Sequence, residues 1–464
     1  MTELFKLNLL CVALGGLLLT GCGDAETTIV EQDPVESPGD DHDHGGEHGH
    51  DHGDEHGIAS GRLAVTDAST NQTTIFDLEE SSSLDTFSLM YEGSRLSASA
   101  DYRYVAITNR NEGRVGFIDG GLWQEDHGDH MHPYSEPPMM SDYELFGERP
   151  THLVGHDGQL AIFFDGNADA GLPASVQVIT DTDIANESAE VPTLTYNNNM
   201  HGVALPKGEH LFSTIRRADT DSSSNSKTLP DQVGVYHLHD AEYELEQTLE
   251  TVCPDLHGAA QNHDYVAFGC SDGVMIAHQH NADFESVKVD NIDGLNDLRI
   301  GNLYGHEDSG TFMGVASSHG SGEATLVAID PQANEMELLN WGNAEDASPV
   351  SYTFSNNGEH FLILDDQGFL TILHGHMEGD HMHWEVESRL DITEEDVADM
   401  PEDASFSMTV AQNGHYAFVA DPIAQHVLTV NLEEATIEGD MELEFVPGRL
   451  IWLGIKAEED AHEH

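Results

Sequence analysis

Short apolar runs alternate with polar turns along almost the whole chain, and they recur in a fixed order. Each unit contains a β-like run, a turn rich in Asn, Asp and Gly, and a second β-like run. These three residue types tolerate the positive φ angles of tight turns, so each unit predicts an antiparallel hairpin. The clear copies are SASADYRYVAIT (97–108), HLVGHDGQLAIFF (152–164), HGVALPKGEHLFSTI (201–215), HGAAQNHDYVAFG (257–269), YTFSNNGEHFLIL (352–364) and MTVAQNGHYAFVA (408–420).

A third apolar run follows most of these hairpins, as in RVGFID, SVQVITD and TLVAID, and a more polar fourth run, such as DYELFG or WEVESRL, usually comes next. Four antiparallel strands per unit, repeated around a circle, are typical of a β-propeller, an all-β fold. About 400 folded residues at roughly 50 per unit predict eight blades. Seven blades are the alternative if the weaker unit at 298–330 is irregular.

The two ends of the folded region complement each other. GRLAVTD and QTTIFDL near the N-terminus are typical of the middle of a blade, and PGRLIWLGI near the C-terminus is typical of a single inner strand. One blade assembled from both ends would leave no free sheet edge in the ring. We therefore expect one propeller domain at 58–457, with a short helix near 394–400 and an acidic, histidine-containing tail at 458–464.

Residues 1–21 have the features of an export signal. Lys6 precedes an apolar run from Leu9 to Leu19, which is short for a membrane span, and a lipobox ends at Cys22. This start resembles a bacterial lipoprotein precursor, which implies cleavage before Cys22, a lipid on its thiol, and a periplasmic protein that meets the membrane through that lipid only. Gly23, instead of Asp, after Cys22 favours the outer membrane over the inner one. The alternative is a retained anchor helix.

Charge limits the class of partner. The chain has 86 acidic and 16 basic residues, which gives a formal net charge of -70. Such a surface disfavours nucleic acid and anionic ligands and attracts cations. A salt-rich habitat would produce the same composition, so the composition indicates only the sign of the partner's charge.

The segment 22–57 combines this charge with metal-ligating side chains. Its stretch DDHDHGGEHGHDHGDEHG contains no apolar residue, so it cannot build a core. Histidines separated by one residue and interleaved with Asp are metal ligands at metal-ligand spacing. We interpret the segment as a disordered metal-binding arm, with the candidate ligands His42, His44, His48, His50, His52 and His56.

Three successive units begin with a histidine at the same place, namely His152, His201 and His257. In a propeller the first strand of each blade lines the central channel, so these three imidazoles are expected to converge near one mouth of it. Zinc takes three or four nitrogen, oxygen or sulfur ligands, and histidines on rigid strands suit it. The alternative is that the histidine is a duplicated residue that only hydrogen-bonds a neighbouring blade.

A loop before the first of these units holds His127, His130 and His132. It is long enough to fold over the channel mouth, and we expect His130 or His132 to join the histidine ring there. Met131 in the same loop makes copper a possible metal, because thioether and imidazole together suit Cu(I).

Cys253 and Cys270 frame the hairpin HGAAQNHDYVAFG. If its turn is centred between Gln261 and Asn262, the two sulfurs face each other across adjacent strands. In an exported protein this favours a disulfide over a pair of thiolate metal ligands.

The strings NNMHGVALPKGEH, VCPDLHGAA, YVAFGCSDGV and RPTHLVGHDGQLAIFFDG, together with the histidine-rich arm, resemble the periplasmic zinc chaperones of the AztD type, over most of the chain from Gly61 to Lys456. The resemblance implies a β-propeller that holds zinc at an internal histidine site and passes it to the substrate-binding protein of a zinc ABC importer. It also favours zinc over copper. The lipobox departs from the freely diffusing members of that family, so shuttling by diffusion is in doubt.

Three hypotheses for function remain open. The first is a zinc metallochaperone, a binding protein without catalysis. The second is a storage or scavenging lipoprotein that binds divalent metals such as zinc and copper without selectivity. The third is a propeller enzyme with a metal or quinone cofactor, although the sequence has no P-loop or HExxH motif. We predict that the protein is not an enzyme.

Overall fold

The computed structural model describes residues 60–128, 130–225, 228–280, 283–295, 298–318, 324–342, 347–379 and 381–457. The predicted signal peptide, Cys22, the six histidines of the arm and the tail at 458–464 lie outside these residues. Among the described residues no helix is long and apolar enough to cross a membrane.

Strands account for nearly all regular structure in the described chain. The first seventeen are β1 (Arg62–Asp67), β2 (Gln72–Asp77), β3 (Ser82–Ser88), β4 (Arg95–Ala98), β5 (Tyr104–Asn109), β6 (Arg114–Asp119), β7 (Leu122–Asp126), β8 (Met131–Ser135), β9 (Met139–Phe146), β10 (Pro150–His156), β11 (Gln159–Phe164), β12 (Ser175–Thr180), β13 (Thr193–Thr195), β14 (Ala204–Lys207), β15 (His210–Ile215), β16 (Gln232–His239) and β17 (Glu242–Thr248). The others are β18 (Ala259–Gln261), β19 (Tyr265–Cys270), β20 (Gly273–His280), β21 (Asp283–Asp290), β22 (Arg299–Tyr304), β23 (Phe312–Ser317), β24 (Ala324–Asp330), β25 (Glu335–Leu338), β26 (Pro349–Phe354), β27 (His360–Asp365), β28 (Phe369–Glu378), β29 (His381–Asp391), β30 (Ser407–Val410), β31 (Tyr416–Asp421), β32 (His426–Asn431), β33 (Thr436–Glu442) and β34 (Pro447–Leu453).

These strands form an eight-bladed β-propeller, which confirms the predicted fold. Each blade is a four-stranded antiparallel meander, and β7 with β8 adds a separate hairpin between the third and fourth strands of the second blade. The third and fourth blades are also joined through their outermost strands, where Thr193 pairs with Glu242. The unit at 298–330, from which the alternative of seven blades arose, is a regular blade of β22 to β25.

The first blade is closed by strands from both ends of the described chain, as predicted. Inner strand β34 pairs with β1, with Arg62 opposite Leu453 and Ala64 opposite Ile451. Trp452 is buried in a cluster with Leu63 and with residues of the eighth blade. This pairing leaves no open edge in the ring.

The hydrophobic core lies between neighbouring blades. Alternate side chains of a strand point to opposite sides of its sheet, so each blade presents apolar rows to both neighbours. On β20, for example, Val274 and Ile276 pack in one cluster with Ile300 and Phe312 of the sixth blade. Burial of each such side chain contributes about 1.5 to 3 kcal/mol.

In the part of the chain that the structure describes, helical structure is confined to two short segments. The segment expected to be helical near 394–400 contains one turn of 3-10 helix at Val397–Asp399. The α-helix α1 (Asp181–Ala185), which sequence analysis did not predict, follows β12, and Thr180 caps its N-terminus by accepting from the backbone N–H of Asp183.

Strand direction defines two faces of the ring. We call the upper face the one where first strands begin; it carries the start of β10 and the residues just before β14 and β18. Because successive strands of a blade are antiparallel, connections from the first strand to the second and from the third to the fourth lie at the opposite, lower face.

Candidate metal centre

Three histidines from neighbouring blades meet at the upper face, as the sequence predicts. His152 lies on β10, and His201 and His257 lie just before β14 and β18. The Nε2 atom of His201 is 3.3 Å from the Nε2 of His152 and 3.2 Å from the Nε2 of His257. One ligand atom from each ring lies within 4.8 Å of the other two. We call these residues the channel triad; their role as metal ligands stays a prediction.

A glycine follows two of these histidines because the backbone there is tightly packed. Gly258 has a φ of +78°, and a Cβ at this position would lie 2.4 Å from the carbonyl oxygen of Gly301. At Gly202 a Cβ would lie 2.4 Å from the hydroxyl of Thr214. Only glycine fits either position, which explains the His-Gly pair at the start of both units.

Hydrogen bonds orient two rings of the channel triad. The Nδ1 of His201 donates to Oδ2 of Asp165 at 2.9 Å, and the Nδ1 of His257 donates to the carbonyl of Gly301 at 2.7 Å. A proton on Nδ1 leaves the lone pair on Nε2 free to bind a metal, and this arrangement is common around zinc. The same carboxylate oxygen of Asp165 pairs with Arg110 at 2.8 Å.

Sequence analysis did not select Asp165. The sequence feature that could have identified it is its position, directly after the apolar second strand of the blade that carries His152, in FFDG. Such residues end several second strands of this chain, for example Asp365 and Asp421, so position alone did not separate Asp165 from structural acids.

The electrostatic environment favours the neutral form of two of these imidazoles, His152 and His257. Burial lowers the pKa of His152 to about 3, and the neighbouring His201 and His257 lower it further in the same direction. Burial also lowers the pKa of His257. Because the neutral imidazole is the form that binds a metal, His152 and His257 stay available to an ion at lower pH than an ordinary histidine does.

A long upper-face connection between β15 and β16, residues 216–231, supports this site. The backbone N–H of His201 donates to the carbonyl of Thr228 at 2.9 Å, and that of Cys253 donates to Asp231 at 2.9 Å. The carboxylate of Asp255 accepts from the backbone N–H of Asn225 at 2.8 Å. This connection therefore holds the segments that carry His201 and His257.

A disulfide joins Cys253 and Cys270, whose Cα atoms are 5.0 Å apart. The bond was predicted, but the register from which we predicted it was wrong. The hairpin turns at His263 and Asp264, and Ala259 pairs with Phe268. Cys253 therefore lies in the segment before β18, and the bond connects that segment to the end of β19.

The expectation that His130 or His132 joins the channel triad is wrong. The rings of His127, His130 and His132 cluster with one another, with centroids 5.4 to 6.3 Å apart. They lie at the end of the β7–β8 hairpin, which connects a third strand to a fourth and so projects from the lower face. Within the described chain, the metal-ligand group at the channel contains the triad alone.

Comparisons with known proteins agree with the fold and the resemblance. No family model matches the chain. The curated zinc chaperone AztD of Citrobacter koseri is 26% identical over 226 residues, which are 48% of this chain and 50% of the relative. The chain thus matches about half the length of this relative. The similarity confirms the resemblance to AztD-type zinc chaperones, and the relative's description as a chaperone agrees with the prediction that this chain is not an enzyme.

Solved structures show the same architecture. Apo AztD from Citrobacter koseri has a TM-score of 0.66 at 20% identity and covers 86% of this chain and 99% of its own, and a second AztD structure has a TM-score of 0.67. Dihydro-heme d1 dehydrogenase NirN has a TM-score of 0.52 at 11% identity, covering 84% of this chain and 74% of its own. At these identities the likeness shows the fold alone.

Proposed function

We propose that this protein is a zinc metallochaperone that holds zinc at His152, His201 and His257. The spacing of the imidazoles carries the proposal, because Nε2 of His201 lies 3.3 and 3.2 Å from its two neighbours. Tetrahedral zinc with bonds of about 2.0 to 2.1 Å places its ligand nitrogens about 3.3 to 3.4 Å apart. Two of the three pairs of rings thus stand at nearly the separation that one zinc ion requires, and the ligand atoms of the third pair lie within 4.8 Å of each other.

Zinc is favoured over copper by two observations. The curated relative is a zinc chaperone. The case for copper depended on Met131, which lies on β8 at the lower face, whereas the channel triad lies at the upper face. The triad contains imidazole nitrogens only, which suit zinc.

The proposed acceptor is the substrate-binding protein of a zinc ABC importer. Three protein ligands leave a fourth position on the ion, where a ligand of the acceptor could bind before any histidine leaves. Transfer by such ligand exchange does not require free zinc in solution. The proposal that the acceptor belongs to an importer rests on the resemblance to AztD-type proteins.

We also propose that the protein is exported and anchored through a lipid on Cys22, in the outer membrane. The supporting observation is the lipobox in the sequence. Mass spectrometry of Cys22 peptides from separated inner and outer membranes checks both statements, and a Cys22→Ala variant is expected to appear in the soluble periplasmic fraction.

Zinc competition and transfer test the proposed function. The full chain, its His201→Ala/His257→Ala variant and a His426→Ala control are titrated with zinc against a chromophoric chelator. We expect the double variant to lose the tightest class of zinc and the control to keep it, because His426 pairs with Asp440 in the eighth blade. Zinc-loaded protein is then mixed with the binding protein and a chelator. Arrival of zinc in the acceptor faster than in the chelator supports transfer, and a chain without any tight class is a non-selective scavenger.

A further inference from the structure

A second set of histidines recurs at the ends of third strands. Three blades carry His-x-His at this position, and residues separated by two along a strand point to the same side of the sheet. Third strands end at the lower face, so these pairs lie on the side of the ring opposite the channel triad. They are His237 with His239, His278 with His280, and His374 with His376.

Each of these pairs faces a glutamate on the adjacent fourth strand. In the ladders, Glu244 is opposite His237, Glu285 is opposite His278, and Glu385 is opposite His374. Cross-strand partners have Cβ atoms about 4.5 to 5.5 Å apart, close enough to share a ligand. Strand pairing does not require histidine or glutamate at these positions. The recurrence of the same residues in three blades therefore indicates that they have a common chemical role.

The fifth blade brings its set together into a metal-binding geometry. One ligand atom from each of His278, His280 and Glu285 lies within 4.8 Å of the other two. In the described structure, the Nδ1 of His278 is buried and has no hydrogen-bond partner. A buried ring nitrogen without a partner is unfavourable, and a bound cation would supply the missing partner.

The surroundings of this set favour a positive ion. His278 and His280 continue the side of β20 that carries Val274 and Ile276, which packs against the sixth blade. The ring of Tyr265 lies 5.7 Å from that of His278. The ladder places Glu285 opposite His278 and Asp283 opposite His280, so two carboxylates lie beside the imidazoles.

We propose that His278, His280 and Glu285 form a second metal site, for a divalent transition metal such as zinc, on the lower face of the fifth blade. Two imidazole nitrogens and one carboxylate oxygen are a ligand set that zinc accepts, with a fourth position left open. His280 and Glu285 are exposed, so this site is expected to bind and release its ion more readily than the half-buried channel triad.

The corresponding residues of the fourth and seventh blades do not come together as closely. The Nε2 of His237 lies 3.7 Å from the carboxylate of Glu209, and the rings of His374 and His376 are 6.3 Å apart. Within the part of the chain that the structure describes, neither set brings three ligand atoms within 4.8 Å. The proposal is therefore made for the fifth blade alone.

Variant titrations with zinc test this site on the full chain. His278→Ala/His280→Ala is expected to lose about one zinc ion relative to wild type, both in the wild-type background and in a chain whose channel triad is replaced by alanine. Glu285→Gln is expected to weaken the same ion. The matched control His415→Ala/His426→Ala also removes two histidines from one blade, but its residues form separate pairs with Glu433 and Asp440.

Anomalous diffraction at the zinc edge, on crystals grown with zinc, locates the ion directly. A peak bounded by His278, His280 and Glu285 supports the site. Absence of that peak, or equal zinc loss in the variant and the control, overturns the proposal. Because the triad variant and the fifth-blade variant remove different ions, failure of this site is distinguishable from failure of the proposed function.

Discussion

The Nδ1 of His201 lies 2.9 Å from the Oδ2 of Asp165, a carboxylate that is buried between the third and fourth blades. This hydrogen bond fixes the tautomer of the central histidine of the triad and increases the basicity of its free nitrogen. Asp165 is thus a positioning residue, which acts on the ion through His201.

Replacement of this carboxylate is expected to weaken zinc binding without loss of the fold. Asp165→Asn keeps the shape of the side chain but removes its charge, and we expect zinc affinity to fall about 10- to 100-fold. Competition with a chromophoric chelator measures the change. Asp421→Asn is the matched control, since Asp421 is buried at the end of the corresponding second strand of the eighth blade. Equal affinity in both variants would show that Asp165 has no part in metal binding.

The lowered pKa of His152 predicts a pH-dependent stability of the metal-free protein. Its pKa is about 3 in the folded chain, against about 6.5 in an unfolded one. Between these values the unfolded state binds the extra proton, so stability is present above about pH 6.5 and decreases as the pH falls toward 3. Asp181, whose pKa is raised to about 6, acts in the opposite direction in wild type and variant alike.

The variant His152→Leu isolates this contribution. Between about pH 6.5 and 4, the free energy of unfolding is expected to decrease less in this variant than in wild type. The difference between the two decreases is on the order of a few kcal/mol. Urea unfolding in the presence of a chelator gives both pH profiles. Parallel profiles for the two proteins would mean that His152 titrates normally in the fold.

Loss of the disulfide should affect both stability and the metal site. The bond closes a loop with a sequence separation of 17 residues, and removal of a bond of this span costs about 3 kcal/mol. Cys253 also precedes His257 in the segment that the bond holds, so Cys253→Ser/Cys270→Ser is expected to bind zinc more weakly, by several-fold. Denaturant unfolding and chelator competition measure the two effects separately. Unchanged zinc affinity would show that the connection at 216–231 holds His257 by itself.

The histidine-rich arm is expected to contribute only weaker sites. A chain that starts at Ile58 should keep the tightest zinc ion and lose the weaker ones that a chain from Gly23 binds, because the sequence of the arm predicts that it must lose conformational entropy on binding. Metal analysis with competitive titration compares the two chains. If the shorter chain binds no zinc tightly, the channel triad is structural and the arm is the metal-binding part.

The fold could be predicted from local sequence patterns, whereas the candidate site could be predicted from them only in part. Alternating apolar residues and turns rich in Asn, Asp and Gly recur in most units, and they sufficed for the blades, their number and the closing strand β34. The convergence of His152, His201 and His257 followed because equivalent positions of a ring meet at its axis. Asp165 did not follow, because its role depends on which neighbour its carboxylate touches across a blade boundary.

Two errors have separate causes. The position of His130 and His132 depends on which face a connection leaves, and we considered the length of the loop without the direction of the strands. The register of Cys253 and Cys270 was set by the midpoint of the hairpin, whereas Asn262 accepts hydrogen bonds from the backbone of Asp264 and Tyr265 and shifts the turn toward the C-terminus. Side-chain hydrogen bonds of this kind are invisible to a count of residues.

Because β1 and β34 pair within the first blade, the two ends of the described propeller meet in that blade. Opening motions of a folded chain start where its ends are held by few contacts, and here both ends of the described propeller belong to that one blade. The third, fourth and fifth blades carry the channel triad. In an eight-bladed ring the fifth blade lies diametrically opposite the first, where the chain ends pair. Fraying of the ends can therefore proceed without separating the three imidazoles.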